Sequence, residues 1–238
     1  MITRLFNSLS ETEKTEAVKD LICDSTPRPE FFLMTGLSVI MATAGLVIDN
    51  AAVIIGSMLI APILSPILSL SMGIVMSDIK LIARSFRTVL IASGVSVGLA
   101  ALSTLFFPGE YRLGDEILSR VDPSLVYLTI AVVAGIAASF ARAKPDMSES
   151  IPGIAISVAL IPPLSVMGIG VAHLNWDMIS GSFLLYLTNV IGIIFASMIV
   201  FSLMNLYVKR GVASRTMESE EQELAREKAA AEKAAEGK

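Results

Sequence analysis

The sequence predicts an all-α fold: a polytopic membrane bundle of six transmembrane helices, in a 3+3 inverted repeat whose second and fifth helices are broken by proline. Three observations lead there. Of the 238 residues, 54% are apolar and only 17% charged, against about 25% charged in ordinary soluble domains. The charges avoid long segments: between Phe31 and Ser77 the only acid or base is Asp49, residues 88–109, 123–141 and 178–208 hold none, and 147–176 holds only Glu149. Two of the apolar segments carry prolines in mid-span, in similar surroundings. A helix needs about 20 apolar residues to cross a hydrocarbon slab of roughly 30 Å.

Taken in order, residues 1–29 form a cytoplasmic amphipathic lead-in without the apolar core of a cleavable leader. Ser10-Glu11-Thr12-Glu13 reads as a capping box opening a short helix to about Ile22, and Pro27 and Pro29 end it. Leu5, Phe6, Leu9, Val18 and Leu21 would rest on the bilayer or on the protein, with packing of a connector the simpler reading. Six apolar segments follow, at 31–48, 51–77, 88–108, 123–141, 150–173 and 178–208. They divide into a first transmembrane repeat (30–109), an external loop (110–122) and a second repeat (123–208). The tail, 209–238, is charged and rich in Ala, Glu and Lys, and reads as a solvated cytoplasmic helix without coiled-coil heptads.

Basic residues choose between six crossings and re-entrant hairpins at segments two and five, because cytoplasmic loops concentrate Lys and Arg. Six crossings from a cytoplasmic start leave 16 basic residues inside and only Arg112 and Arg120 outside. Hairpins would instead move Lys80, Arg84, Arg87, Arg142 and Lys144 outside. Six crossings therefore win, with both termini cytoplasmic and 78–87 a cytoplasmic loop. His173, Trp176 and Tyr127 fall at outer ends, and Phe31, Phe32 and Tyr207 at inner ends, as interfacial belts require.

Segments two and five resemble each other at an offset of 100. Ser57, Pro62, Leu64 and Ser65 recur as Ser157, Pro162, Leu164 and Ser165, and Asp49 recurs as Glu149. Three crossings per copy would turn the second copy upside down, the plan of many secondary transporters. Pro62 would free the Met58 carbonyl and Pro66 that of Pro62, with Pro162 and Pro163 doing likewise for Val158 and Ala159. Lipid cannot satisfy such groups, so these backbones face protein, water or solute. Ser57, Ala61, Ser65, Ser69, Gly73 and Ser77 form a stripe of small residues, and Gly94-x-x-x-Gly98 has the same spacing. Such stripes allow close helix packing. Asn189 is the most polar deep side chain of segment six.

The stretches Asp49-Asn50-Ala51-Ala52-Val53-Ile54-Ile55-Gly56-Ser57-Met58-Leu59-Ile60-Ala61-Pro62 and Pro152-Gly153-Ile154-Ala155-Ile156-Ser157-Val158-Ala159-Leu160-Ile161-Pro162-Pro163-Leu164 resemble the signatures of the prokaryotic integral-membrane family catalogued as domain of unknown function 389. The resemblance spans about residues 30–208. It implies a prokaryotic plasma (inner) membrane location and leaves substrate and mechanism to the residues.

The leading functional expectation is a secondary transporter of a small solute or ion. Its site would lie at the paired breaks, formed by Ser57, Pro62, Ser65, Ser157, Pro162, Pro163, Ser165 and Asn189. Asp49 and Glu149 would cap the broken helices or couple to a proton or cation. An ion channel is the alternative, and a non-transporting assembly or regulatory protein the third reading. Enzymatic, nucleotide and nucleic-acid functions lack motifs: there is one His and one Cys, no phosphate-binding glycine loop, and a net charge of −4. No cofactor is expected and no metal is named by these residues. The expected partners are the lipid bilayer, a small solute or cation, and a second copy in a homo-oligomer.

Overall fold

The computed structural model describes residues 9–107, 113–144, 147 and 160–236, and all regular structure among them is helical. The elements are α1 (Glu11–Asp24), α2 (Pro29–Val47), α3 (Ala51–Met58), α4 (Leu64–Met76), α5 (Ile79–Phe106), α6 (Asp115–Leu118), α7 (Leu125–Ala143), α8 (Ile161–Ala172) and α9 (Trp176–Leu203). A 3-10 turn (Leu206–Lys209) then leads into α10 (Arg210–Glu236). Four helices, α2, α5, α7 and α9, are long and apolar enough to cross a membrane. They mark a membrane protein.

The capping box forms as the sequence requires: the Glu13 N–H donates to Ser10 Oγ at 3.2 Å, and the Ser10 N–H to Glu13 Oε2 at 2.6 Å. Val18, Leu21 and Ile22 of α1 are fully buried against the protein, which settles the lead-in as a packed connector. Leu5 and Phe6 lie outside the described residues.

Segment two is broken. Its α3 ends at Met58 and α4 begins at Leu64, with residues 59–63 non-helical around Pro62. Pro66 falls in the first turn of α4, where a missing N–H costs nothing. The Pro62 carbonyl, expected to be freed by Pro66, accepts from the Ser65 N–H at 3.3 Å. In segment five, Pro162 and Pro163 likewise sit in the first turn of α8 rather than mid-helix. The residues before Leu160, with Val158 and Ala159, lie outside the described residues.

Residues 79–87, expected as loop, form the first turns of α5, because Asp78 accepts from the N–H groups of Lys80 (3.1 Å) and Leu81 (3.2 Å) and starts the helix early. The charged tail is not merely solvated. Ala213, Met217 and Glu220 of α10 are buried, and Arg28 bonds both Glu220 and Glu223 at 3.0 Å. Cys23 Sγ donates to Glu220 Oε1 at 3.3 Å. Burial, then the Glu220 carboxylate, pushes the Cys23 thiol up to about 11. Burial alone would raise Glu220, but the bonds from Arg28 and Cys23 outweigh it and hold the carboxyl below its ordinary value.

One turn geometry occurs three times. Asp49, Ser77 and Leu174 have φ of 52°, 53° and 53°. Each precedes an N-cap residue, Asn50, Asp78 or Asn175. The N–H of that cap returns to Gly45 O (2.8 Å), Gly73 O (2.9 Å) or Gly170 O (2.8 Å), the six-to-one bond of a Schellman turn. The glycines are needed for contact as well: a Cβ there would lie 2.9–3.1 Å from Ile54, Ile82 or Ile179, nine residues onward. The signature Gly-x4-[Asn/Asp]-x3-Ile thus folds each chain segment back on its predecessor.

The helices also recur in length. α2, α4 and α5 have 19, 13 and 28 residues, and α7, α8 and α9 have 19, 12 and 28. From α4 onward, helix starts, prolines, turn glycines and caps match at an offset of 97 rather than 100, pairing Pro66 with Pro163, Gly73 with Gly170 and Asp78 with Asn175. α2 packs on α5 as α7 packs on α9, and α4 packs on α9 as α8 packs on α5. Gly94 and Gly98, expected at a helix contact, are exposed, and a Cβ on either would meet nothing within 4 Å.

Candidate functional site

The break in segment two lies beside the centre of α2. Ser57 is fully buried, and its carbonyl accepts from Ser38 Oγ at 2.6 Å, midway along the 19-residue α2. The Ser57 hydroxyl is spent on Ile54 O at 2.6 Å. Ser57 therefore fastens the end of α3 to α2 rather than offering a ligand. Pro62 and Ser65 lie together beyond it, lining a cavity of about 280 Å³ with Phe31, Met34, Arg28 and Glu30. This pocket opens towards the α1–α2 junction.

Pro162, Pro163 and Ser165 are buried on α8, which packs on α2, α3, α5 and α9. Ile63, Leu64 and Ile67 from the first break share one buried apolar cluster with Leu160, Ile161 and Leu164 from the second. Among the described residues the breaks thus contribute an apolar plug, while the Val158 and Ala159 carbonyls lie outside them. Ser157 and Glu149 lie outside the described residues.

Buried polar groups also lie along α9 and on α8. Asn189 is 4% exposed, near the middle of α9. One turn before it Tyr186, 7% exposed, shares a 2.7 Å hydrogen bond with Ser93 at the middle of α5. Ser165, Ser182 and Ser197 are fully buried with hydroxyls that have no partner among the described residues. Several helical serines here return a bond to the carbonyl four residues back, as Ser71, Ser96 and Ser139 do. An unpaired buried hydroxyl costs about 1–3 kcal/mol, so these three are open to a bond with water or solute. Sequence reasoning missed Tyr186 and Ser93. An aromatic within an apolar run carries no signal until its partner helix is known.

Asp49 does not cap the broken helix. Asn50 does so, accepting from the Val53 N–H at 3.2 Å. Asp49, held in the left-handed conformation, reaches across instead, and its Oδ1 accepts from the Glu116 N–H of α6 at 2.9 Å. Gly114 permits the approach, since a Cβ there would lie 2.4 Å from Asp49 Oδ1. The carboxylate caps a short helix of the 113–122 connection, a structural role.

Described residues that are all helical in their regular structure, with four membrane-length apolar helices, a proline-marked break and a buried apolar cluster, define a helical membrane protein. The chain belongs to the family described as Domain of unknown function (DUF389), which matches residues 58–195. It is similar to the uncharacterized protein MJ0678 of Methanocaldococcus jannaschii, with 32% identity over 173 residues, 73% of this chain and 53% of that protein. The chain thus spans about half the length of the curated relative it matches. No solved structure matches it.

Proposed function

We propose that this protein crosses a prokaryotic plasma membrane six times, with both termini cytoplasmic, and carries a small solute or ion as a secondary transporter. The observation that carries this reading is the helix series of 19, 13 and 28 residues followed by 19, 12 and 28, with the same glycine turn before the last helix of each series. Copies of three crossings have opposite orientations in the bilayer, and transporters of this plan bind substrate where their interrupted helices meet. The charges at the matched turns support inversion. Lys80, Arg84 and Arg87 follow the first turn, while Asp177, Gly181 and Leu184 stand at the same places after the second.

The substrate would pass the apolar plug and bind Ser65, Ser165, Asn189 and the Tyr186–Ser93 pair. Neutral oxygen and amide groups suit a monovalent cation or a small polar solute. The same reading gives Pro62 the larger role: Pro62→Ala lets the helix re-form across the break and slows transport, whereas Pro162→Ala and Pro163→Ala, in a first turn, change little. No catalytic residue or cofactor is part of it.

Uptake by proteoliposomes tests the proposal. Saturable uptake accelerated by substrate on the opposite side is expected. Unitary currents in a planar bilayer would make the protein a channel. Neither activity, with a protein partner lost on deletion of α10, would leave an assembly or regulatory role.

A further inference from the structure

Four of the basic side chains at the α1–α10 end have acidic partners, Lys14 with Glu11 of its own helix among them. Arg28 pairs with Glu220 and Glu223, Arg142 with Asp24, and Lys209 with Glu11. Arg84 has none among the described residues. Its Nη2 donates to Thr26 Oγ1 at 2.5 Å, which fixes the guanidinium, while Nη1 is buried without a hydrogen-bond partner among the described residues. A guanidinium stays charged at any ordinary pH, so burying part of it without an anion is costly.

Arg84 borders a cavity of about 820 Å³ between the α1–α2 junction, the start of α5 and α10. Arg87 and Thr88 line the α5 wall, Phe32 and Ile91 the floor towards the membrane-length helices, and Glu221 and Glu227 the α10 wall. Cations thus stand on one side, carboxylates on the other, with apolar surface leading into the hydrophobic zone.

We infer that this cavity is a binding site for one amine-bearing phospholipid of the leaflet nearest α1 and α10. The phosphate diester accepts from Arg84 and Arg87, the primary ammonium donates to Glu221 and Glu227, and the acyl chains leave past Phe32 and Ile91. Arginine forks match phosphate oxygens bidentately, and the volume accommodates a headgroup with its glycerol. The site requires a membrane setting but not transport, so it stands or falls separately from the activity proposed above.

Native mass spectrometry of the full chain, released from nanodiscs of phosphatidylethanolamine and phosphatidylglycerol in equal parts, tests this. One retained phosphatidylethanolamine per chain is expected, with occupancy falling about tenfold in Arg84→Gln. Thr26→Val, which removes only the hydroxyl that steadies Arg84, should retain most of the lipid. If Arg84→Gln fails to fold, Arg87→Gln, at an exposed position, gives the same comparison with a smaller loss. Undiminished lipid in the arginine variants overturns the site. Equal retention of phosphatidylglycerol overturns the amine contact, and displacement of lipid by millimolar inorganic phosphate or phosphoethanolamine overturns the lipid as ligand in favour of a soluble phosphate compound.

Discussion

The α4–α5 and α8–α9 hairpins share a frame and differ in content. Both start at a proline-bearing first turn, reverse at a left-handed residue after a turn glycine, and continue into a helix of 28 residues. At matched positions α4–α5 has Leu68, Val89, Ala92 and Ala100 where α8–α9 has Ser165, Tyr186, Asn189 and Ser197. Ser85 and Ser182 match in kind, yet Ser85 is satisfied by Ser69 at 3.1 Å while Ser182 has no partner among the described residues. The frame therefore depends on glycines, caps and prolines, which both copies hold. Unspent polar capacity is concentrated in one of them. Two hairpins built on one frame can differ in their buried polar groups.

The sharpest way to break the comparison is topological. Ser77 and Leu174 are matched, exposed turn residues with the same φ. In a Cys23→Ser background, a cysteine at Leu174 should react with an impermeant maleimide on intact cells, and a cysteine at Ser77 only after lysis. Labelling of both from one side would make the repeat non-inverted.

Next in size is the polar asymmetry. Asn189→Ala combined with Tyr186→Phe should lower uptake about tenfold or more, because each removes a hydrogen-bonding group worth about 1 kcal/mol. Ala92→Ser, at the position matched to Asn189, should leave uptake nearly unchanged. Equal effects from the two sides would place the site elsewhere.

Packing gives a smaller, clean contrast. A Cβ at Gly168 would lie 2.4 Å from Ala100 Cβ and 2.6 Å from the Val97 carbonyl. Its match in the first copy is Ser71, which is buried and bonded to Ile67 O at 2.9 Å. Gly168→Ser should destabilise by about 1–3 kcal/mol through overpacking, and Ser71→Gly by about 1 kcal/mol through lost helix propensity. Unfolding in mixed micelles would rank them, and the reverse order would contradict the α8–α5 contact.

The mildest effect concerns the docked tail, which belongs to neither copy. Because the Cys23 thiol lies near 11, alkylation at pH 8 should be slow, and Glu220→Ala should speed it several-fold. The Glu220 carboxyl is depressed in the folded chain, so its contribution is present above its unfolded value of about 4.5 and lost as pH falls through the lower folded value. Cleavage of α10 by protease should rise on acidification through that window and stay level between pH 6 and 8.

The sequence by itself determined the helical class, the apolar segments, the capping box at Ser10 and the position of the first break. Each depends on local composition, on hydropathy over a helix length, or on the missing N–H of proline, and none needs a distant partner. Even the turn signature at Gly45, Gly73 and Gly170 was legible in principle, though its spacing of five to the next cap has meaning only once a left-handed residue is seen between. The offset of 100 was read from Ser57, Pro62 and Ser65 against a segment whose residues 148–159 lie outside the described structure; the offset of 97 emerged from helix ends. Only the tertiary structure decided that Asp49 caps α6, that Ser57 is spent on its own helix, that α10 docks on α1, and that Arg84 borders a cavity with no carboxylate paired to it among the described residues. The physical reason is the same in all four. Whether a polar group has a use left over depends on which partners the fold brings within about 3 Å, and those partners lie as far as 197 residues away along the chain.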